Sequence, residues 1–395
     1  MGIAVWRGYT KKAAPAPAVF LKNDVNFYDD YAGTLVASYS AADFANLSAL
    51  PANPSHSGVV AEGWNWTLAD AKTYVAANGK LNIGQMYRTE SGKTEYDVEI
   101  NEATGMTATL TGTSGTEKDW GDGTIDTNET HTYALAGDYT IKLSGTTLPS
   151  IQGSKKVRAV RIASGVTSIA SYSFLGCYLL QSVTIPSSVT SIGSGAFTNS
   201  YALQSVTIPS SITSIGSSAF SSCCSLQHIA ISNSVTSIGD SALQNCSTLQ
   251  SVTIPSSITS IGSGALQGCD CLRSVVIPSS VTSIGSSAFS SCVSLQAVVI
   301  PSSVTSIIDG AFQSCVSLQA VVIPSSVTSI GNSAFRLCNF LGVVTVLATT
   351  PPTLAATNAI PNNVKKIYIP NGTLAAYQAA TNWSFFSSKF AELPA

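Results

Sequence analysis

From about residue 160 to residue 346 the apolar positions fall into columns spaced 23 residues apart. One column reads Leu180, Leu203, Leu226, Leu249, Leu272, Leu295, Leu318 and Leu341. A second is Ile169, Ile192, Ile215, Ile238, Ile261, Ile284, Ile307 and Ile330, and a third is Phe174, Phe197, Phe220, Leu243, Leu266, Phe289, Phe312 and Phe335. The dipeptide Ile-Pro recurs at Ile185, Ile208, Ile254, Ile277, Ile300 and Ile323, with Ile231-Ser232 filling the gap, and its phase extends back to Ile162 and forward to Val346. A fixed period of this length signals stacked supersecondary units.

Within one unit, Val206 and Ile208 alternate with polar residues, which predicts a short strand with one face in a core. Pro209 ends it, because proline has no N–H to extend a ladder. Ile212 to Gly216 predicts a second short extended stretch and a turn, and Ser217 to Cys223 one or two helical turns with a serine cap. A single unit cannot bury enough apolar surface to offset the ordering of its backbone, so stability requires neighbours that share ladder bonds and a continuous core.

The repeated pattern L-x-x-V-x-I-P-S-S-V-T-S-I-G-x-x-A-F-x-x-C closely resembles the BspA-type leucine-rich repeat, in eight copies over about 185 residues. The resemblance implies an α/β repeat fold: a right-handed leucine-rich-repeat solenoid with parallel strands on one face. It also implies a surface protein of bacteria or microbial eukaryotes with a role in adhesion.

The flanks break the period. Residues 1–20 read as an arm or linker rich in Lys, Ala and Pro. Residues 21–94 read as an α+β domain, with a hairpin around Gly33 between Val25–Asp29 and Thr34–Tyr39. In it Ser40 caps a helix through Leu50 and Thr67 one through Ala77. Residues 95–150 turn to strands, and Trp120-Gly-Asp-Gly-Thr, His131-Thr-Tyr133 and Gly137-Asp-Tyr-Thr-Ile resemble the signature of PKD-type β-sandwich domains over about 50 residues. The solenoid is placed at 151–346 and a C-terminal cap at 347–395, since an open last coil would expose core and strand edge. This order of segments looks like that of gut-bacterial and phage proteins of the same type.

Composition narrows the partners. Charged residues make up 10% of the chain and net charge is −2, so no polybasic footprint points to nucleic acid or anionic lipid. No apolar run reaches the length of a membrane span, so membrane insertion is not expected. The first residues lack the apolar core of a cleaved signal peptide. The expected location is an extracellular surface or a virion.

Candidate chemistry is sparse. Cys177, Cys223, Cys246, Cys269, Cys292, Cys315 and Cys338 share one phase, with Ser200 at the vacant position. A metal or disulfide ladder is weighed against a column of small buried side chains, and the latter is favoured, because translation gives no thiol a preferred partner. Cys223-Cys224 and Cys269-x-Cys271 lack a second ligand pair. His131 reads as a structural hydrogen-bonder and His228 as a solvated histidine or a contact residue. The acidic run Asp119, Asp122, Asp126, Asn128 and Glu129 lacks calcium-loop spacing, and Asp122-Gly123 reads as a tight turn. Trp64 and Trp66 read as core in preference to a sugar platform. No nucleophile–base constellation is visible, and no catalytic residue, cofactor or metal is assigned.

The outward strand face carries the most information. One row reads Thr184, Thr207, Ala230, Thr253, Val276, Val299 and Val322, and its neighbour Ser182, Ser205, His228, Ser251, Ser274, Ala297 and Ala320. The face changes from polar to apolar towards the C-terminus, and contiguous exposed apolar surface marks interaction sites. Thr184, Thr207, His228, Thr253, Val276, Val299, Val322, Ala297 and Ala320 are therefore the candidate binding face. Two functions fit: a non-enzymatic adhesin whose solenoid contacts a host-surface protein or glycan, or a structural phage virion protein such as a fibre or decoration protein. In the second, the N-terminal region docks to virion proteins and the solenoid is the exposed tip. Oligomerisation is compatible with both.

Overall fold

The computed structural model describes residues 25–29, 34–56, 59–78, 81–89, 91–101 and 105–394. The arm at 1–20 and the turn around Gly33 lie outside them. Residues 157–369 form a β-solenoid of ten coils. Each coil contributes one strand to a long parallel sheet. The coil strands are 157–161, 182–184, 205–207, 228–230, 251–253, 274–276, 297–299, 320–323, 343–346 and 366–369, numbered here coils 1 to 10. The second sheet is built from two-residue strands, Ser168–Ile169 through Thr353–Leu354, that stack the Ser-Ile column in register.

The third side of each coil differs from the expected helical turns. In coil 3 the N–H groups of Ala219, Ser221 and Cys223 bond back within the coil to Gly216, Ser218 and Phe220. Those of Ser218, Phe220 and Ser222 bond to the carbonyls of Asp240, Ala242 and Gln244 in the next coil. Alternate amides thus serve the coil and the stack, which a continuous helix does not allow. Two positions per coil take left-handed φ to make this possible, among them Ser218 at 56° and Ser222 at 58°. Ser and Asn occupy most such sites that Gly does not, as expected of short side chains.

The core is a set of ladders. Phe174, Phe197 and Phe220 stack with ring centroids 5.0 and 5.2 Å apart, and Phe289, Phe312 and Phe335 at 5.3 and 5.4 Å. The second serine of the Ser-Ser pair also holds the stack: Ser188 Oγ donates to Val166 O, and Ser326 Oγ to Val304 O.

The segment resembling a PKD domain does not stand apart. β5 (Thr94–Ile100) pairs antiparallel with the strand of coil 1, and a later strand, Gly137–Leu143, pairs with β5, so both extend the solenoid sheet. Their side chains, with Trp120 and Tyr133, belong to the solenoid core. The junction is fixed by charge: Arg161 reaches Asp97 through two nitrogens at 2.6 and 2.7 Å and Glu95 through Nε at 2.9 Å. At the other end a helix, Leu374–Ala379, and a 3-10 segment, Trp383–Lys389, close the core with Tyr377, Trp383 and Phe386. Tyr377 and Trp383 donate to the carbonyls of Ala348 and Pro352.

Residues 25–89 have a separate core. β1 (Val25–Asp29), β2 (Thr34–Tyr39), β3 (Val59–Trp64) and β4 (Leu81–Thr89) form one sheet in the order β2-β1-β4-β3. Between them lie α1 (Ala41–Ala45) and α2 (Leu68–Asn78). Thr67 caps α2 through Asp70 N–H at 3.1 Å. Ser40 caps α1 as expected, but that helix closes at Asn46 and does not reach Leu50.

Candidate binding surface

The N-terminal domain lies across the outward strand face. β4 runs along the solenoid over the strands of coils 2 to 5. Beneath it Thr207, His228 and Thr253 are buried, and Ala230 is wholly covered. His228 is thus neither solvated nor open to a foreign ligand: its ring stacks on Tyr28 with centroids 4.2 Å apart.

The polar contacts follow from the proline column. In the parallel ladder the N–H of Ile208 donates to Ala230 O and that of Ile162 to Thr184 O, an offset of 22 residues. In coils 2, 3 and 5 to 8 the next donor is the proline nitrogen, which carries no hydrogen. Pro186 and Pro209 therefore leave the carbonyls of Ile208 and Ile231 without a ladder partner. The N-terminal domain fills these places. Asn65 Nδ2 donates to Ile208 O and Ala230 O at 3.3 and 3.0 Å, and Trp66 Nε1 donates to Ile231 O at 3.0 Å. Tyr74 OH continues the row onto Ile254 O at 2.8 Å. Asn82 donates from its backbone to Thr253 Oγ1 and from Nδ2 to Ser251 Oγ. Glu62 accepts from Ser187 N–H at 2.8 Å.

Beyond coil 5 the face is open. Val276 and Thr184, at either end of the covered stretch, are half-buried, and Ala297 and Ala320 are exposed. Val299 is 74% and Val322 49% exposed. Pro255 and Pro278 leave the carbonyls of Ile277 and Ile300 in the state that Asn65 and Trp66 resolve upstream. The nine sequence candidates thus split: Thr207, His228 and Thr253 lie under the chain's own domain, whereas Val299, Val322, Ala297 and Ala320 share one accessible patch. Asn65, Trp66 and Tyr74 were not singled out for this face. The proline column was the available signal, since it marks which carbonyls need a donor from outside the ladder.

The other candidate groups are internal. Cys223 Sγ donates to Phe197 O at 3.3 Å and Cys246 Sγ to Phe220 O at 3.2 Å, and every thiol of the column repeats this bond. Ser200 Oγ makes it onto Phe174 O. Burial pushes the thiol of Cys246 up to about 12. His131 Nε2 meets Asp122 Oδ2 at 2.7 Å and its ring stacks on Trp120. Asp119, Asp122 and Asp126 each accept a backbone N–H two residues on, so these carboxylates build local turns. Trp64 lies in the N-terminal core and Trp66 at the contact with the solenoid. Among the described residues no three His, Cys, Asp or Glu gather in a metal-holding group, and no helix is long and apolar enough to cross a membrane.

No curated protein matches the chain. Among solved structures it is similar to a leucine-rich repeat protein of T. pallidum (28% identity, 47% of this chain and 83% of that one, TM-score 0.40). It is also similar to a leucine-rich repeat protein of Bacteroides ovatus (23%, 67% and 90%, TM-score 0.42). A third is a leucine-rich cell surface protein of Faecalibacterium prausnitzii (25%, 57% and 82%, TM-score 0.33). The pattern that describes the BspA type leucine-rich repeat region matches residues 151–273 and 259–371. These spans cover more than half of the sequence and coincide with the stacked coils, and the chain belongs to the BspA-type leucine-rich repeat family.

Proposed function

We propose that this chain is a non-enzymatic, surface-exposed binding protein that holds a host-surface macromolecule on the strand face of coils 6 to 9. The observation that carries this reading is the division of that face. Coils 2 to 5 already hold a folded domain, through donors aimed at strand carbonyls, two of them facing proline nitrogens, and a stacked ring. The next coils repeat the same scaffold with Val299 and Val322 uncovered. The family, whose members are typically cell-surface proteins, supports an external location.

The chemistry of the open patch favours a protein over a glycan. Valine and alanine side chains beside carbonyls that face proline nitrogens suit an apolar, weakly charged protein surface with amide, indole or hydroxyl donors. Labelled chain should bind intact cells saturably, and surface proteolysis of the cells should remove that binding. The Val299→Lys/Val322→Lys variant should bind at least about tenfold more weakly, since a desolvated unpaired charge costs more than about 1.4 kcal/mol. Equal binding by the variant and the parent protein would remove the strand face from consideration.

A further inference from the structure

The outward face changes its charge, as well as its polarity, where the N-terminal domain ends. Each coil sets one residue at the border of that face, immediately ahead of its strand. Beside the N-terminal domain this position holds Gln204, Gln227 and Gln250, all half-buried. Beyond the domain it holds Arg273 ahead of coil 6 and Lys365 ahead of coil 10, both exposed. A body seated on the strand face therefore reaches the border column. One seated over coils 6 to 9 meets Arg273 at one end and comes up against Lys365 at the other. Lys366 stands beside Lys365 on the face itself, in register with Val343 and, through it, with Ala320.

Coil 1 shows what such a cation takes when the chain provides for it. Arg158, in the same border column, pairs with Glu99. No ion pair among the described residues engages Arg273, Lys365 or Lys366. The other charges of these coils lie elsewhere. Asp309 accepts the N–H of Asn332 in the turn after the second sheet, and Arg336 lies on the third side, in the place of Ser221. Asp270 sits in the turn ahead of Arg273 without pairing with it. The face thus has an uncharged centre, with Val299 and Val322, and an unpaired cation at each end. Four coil steps put those ends ~19 Å apart along the rod. A polyanion repeats its charge at far shorter intervals and would set unpaired charge against the valines. A protein surface can instead carry an apolar centre with charge confined to its rim.

We propose that the partner of the open face is a protein surface with an apolar centre over Val299 and Val322 and carboxylates at its rim. One carboxylate faces Arg273, and another faces Lys365 and Lys366. This rests on the binding function proposed above and adds to it the partner's charge pattern. Rim charges that keep contact with solvent steer the partner and fix its register more than they hold it.

Association of labelled chain with intact cells tests the pattern. Arg273→Glu and Lys366→Glu should each slow association about threefold at low salt, and the pair together about tenfold. These differences should shrink as salt is raised to about 1 M, where exposed charges are screened. Arg336→Glu makes the same change in net charge away from the face and should associate like the parent protein. If the pair associates as fast as Arg336→Glu, the carboxylate rim is overturned. The strand-face reading then still stands, provided that Val299→Lys/Val322→Lys binds weakly. Binding that survives surface proteolysis of the cells and is displaced by heparin overturns the protein partner in favour of a sulfated glycan. Absence of binding by the parent protein overturns the proposal together with the function on which it rests.

Discussion

The thiol column shows how one side-chain type serves the stack. Each Cys fills a small volume beside the aromatic ladder and donates to a carbonyl 26 residues earlier, that of Ile151 for Cys177 and of a Phe or Leu for the others. Ser200 makes the same bond with an oxygen, so donation is as much a requirement of the position as volume. The columns made the burial legible from sequence, but not the acceptor, which belongs to the neighbouring coil. The titration has a definite sign. Burial raises the thiols of Cys177, Cys246 and Cys292 from 9.0 to about 12. The folded protein therefore binds more protons than the unfolded chain between these values, and the stability these groups contribute is complete below pH ~9 and lost as pH rises towards ~12. Urea midpoints should stay level with respect to these thiols up to about pH 9 and then fall, and replacing Cys246 by Ser should reduce the fall.

At the level of elements, the strand lengths and the stacking axis were readable from the period, whereas the third side of the coil was not. Serine after glycine reads as a helix cap, yet here Ser218 and Ser222 adopt left-handed φ so that alternate amides can reach the next coil. That competition between coil and stack is a tertiary effect and leaves no local trace. The docking of the N-terminal domain was hidden for a similar reason. Trp66 reads as core, and both it and Tyr74 are buried, but each ends on a solenoid carbonyl. Trp66→Phe and Tyr74→Phe keep the apolar contact and remove the donor. Each should weaken docking by about 1–3 kcal/mol, the cost of leaving a buried acceptor unpaired. Because residues 25–89 have their own core, this should appear as an earlier unfolding transition of that domain, with the solenoid transition unchanged. A single shifted transition would mean that the two parts unfold as one.

For the whole molecule, one rod of stacked coils carries two kinds of cover. Its ends are closed by the antiparallel strands Thr94–Ile100 and Gly137–Leu143 ahead of coil 1 and by the aromatic cap after coil 10. Its strand face is closed over coils 2 to 5 by a folded domain and is apolar beyond it. The polar-to-apolar gradient along the outward rows was visible in the sequence, but its meaning was not, since nothing local says that the polar half is the occupied half. Thermal unfolding of Ala230→Lys beside Val299→Lys tests this division most directly, because both residues hold the same place in their coils. Ala230→Lys forces an unpaired charge beneath the N-terminal domain and should cost more than about 3 kcal/mol. Val299→Lys faces outward and should cost less than about 1 kcal/mol. Similar small losses at both positions would contradict the account, because they would mean that the N-terminal domain does not sit on that face.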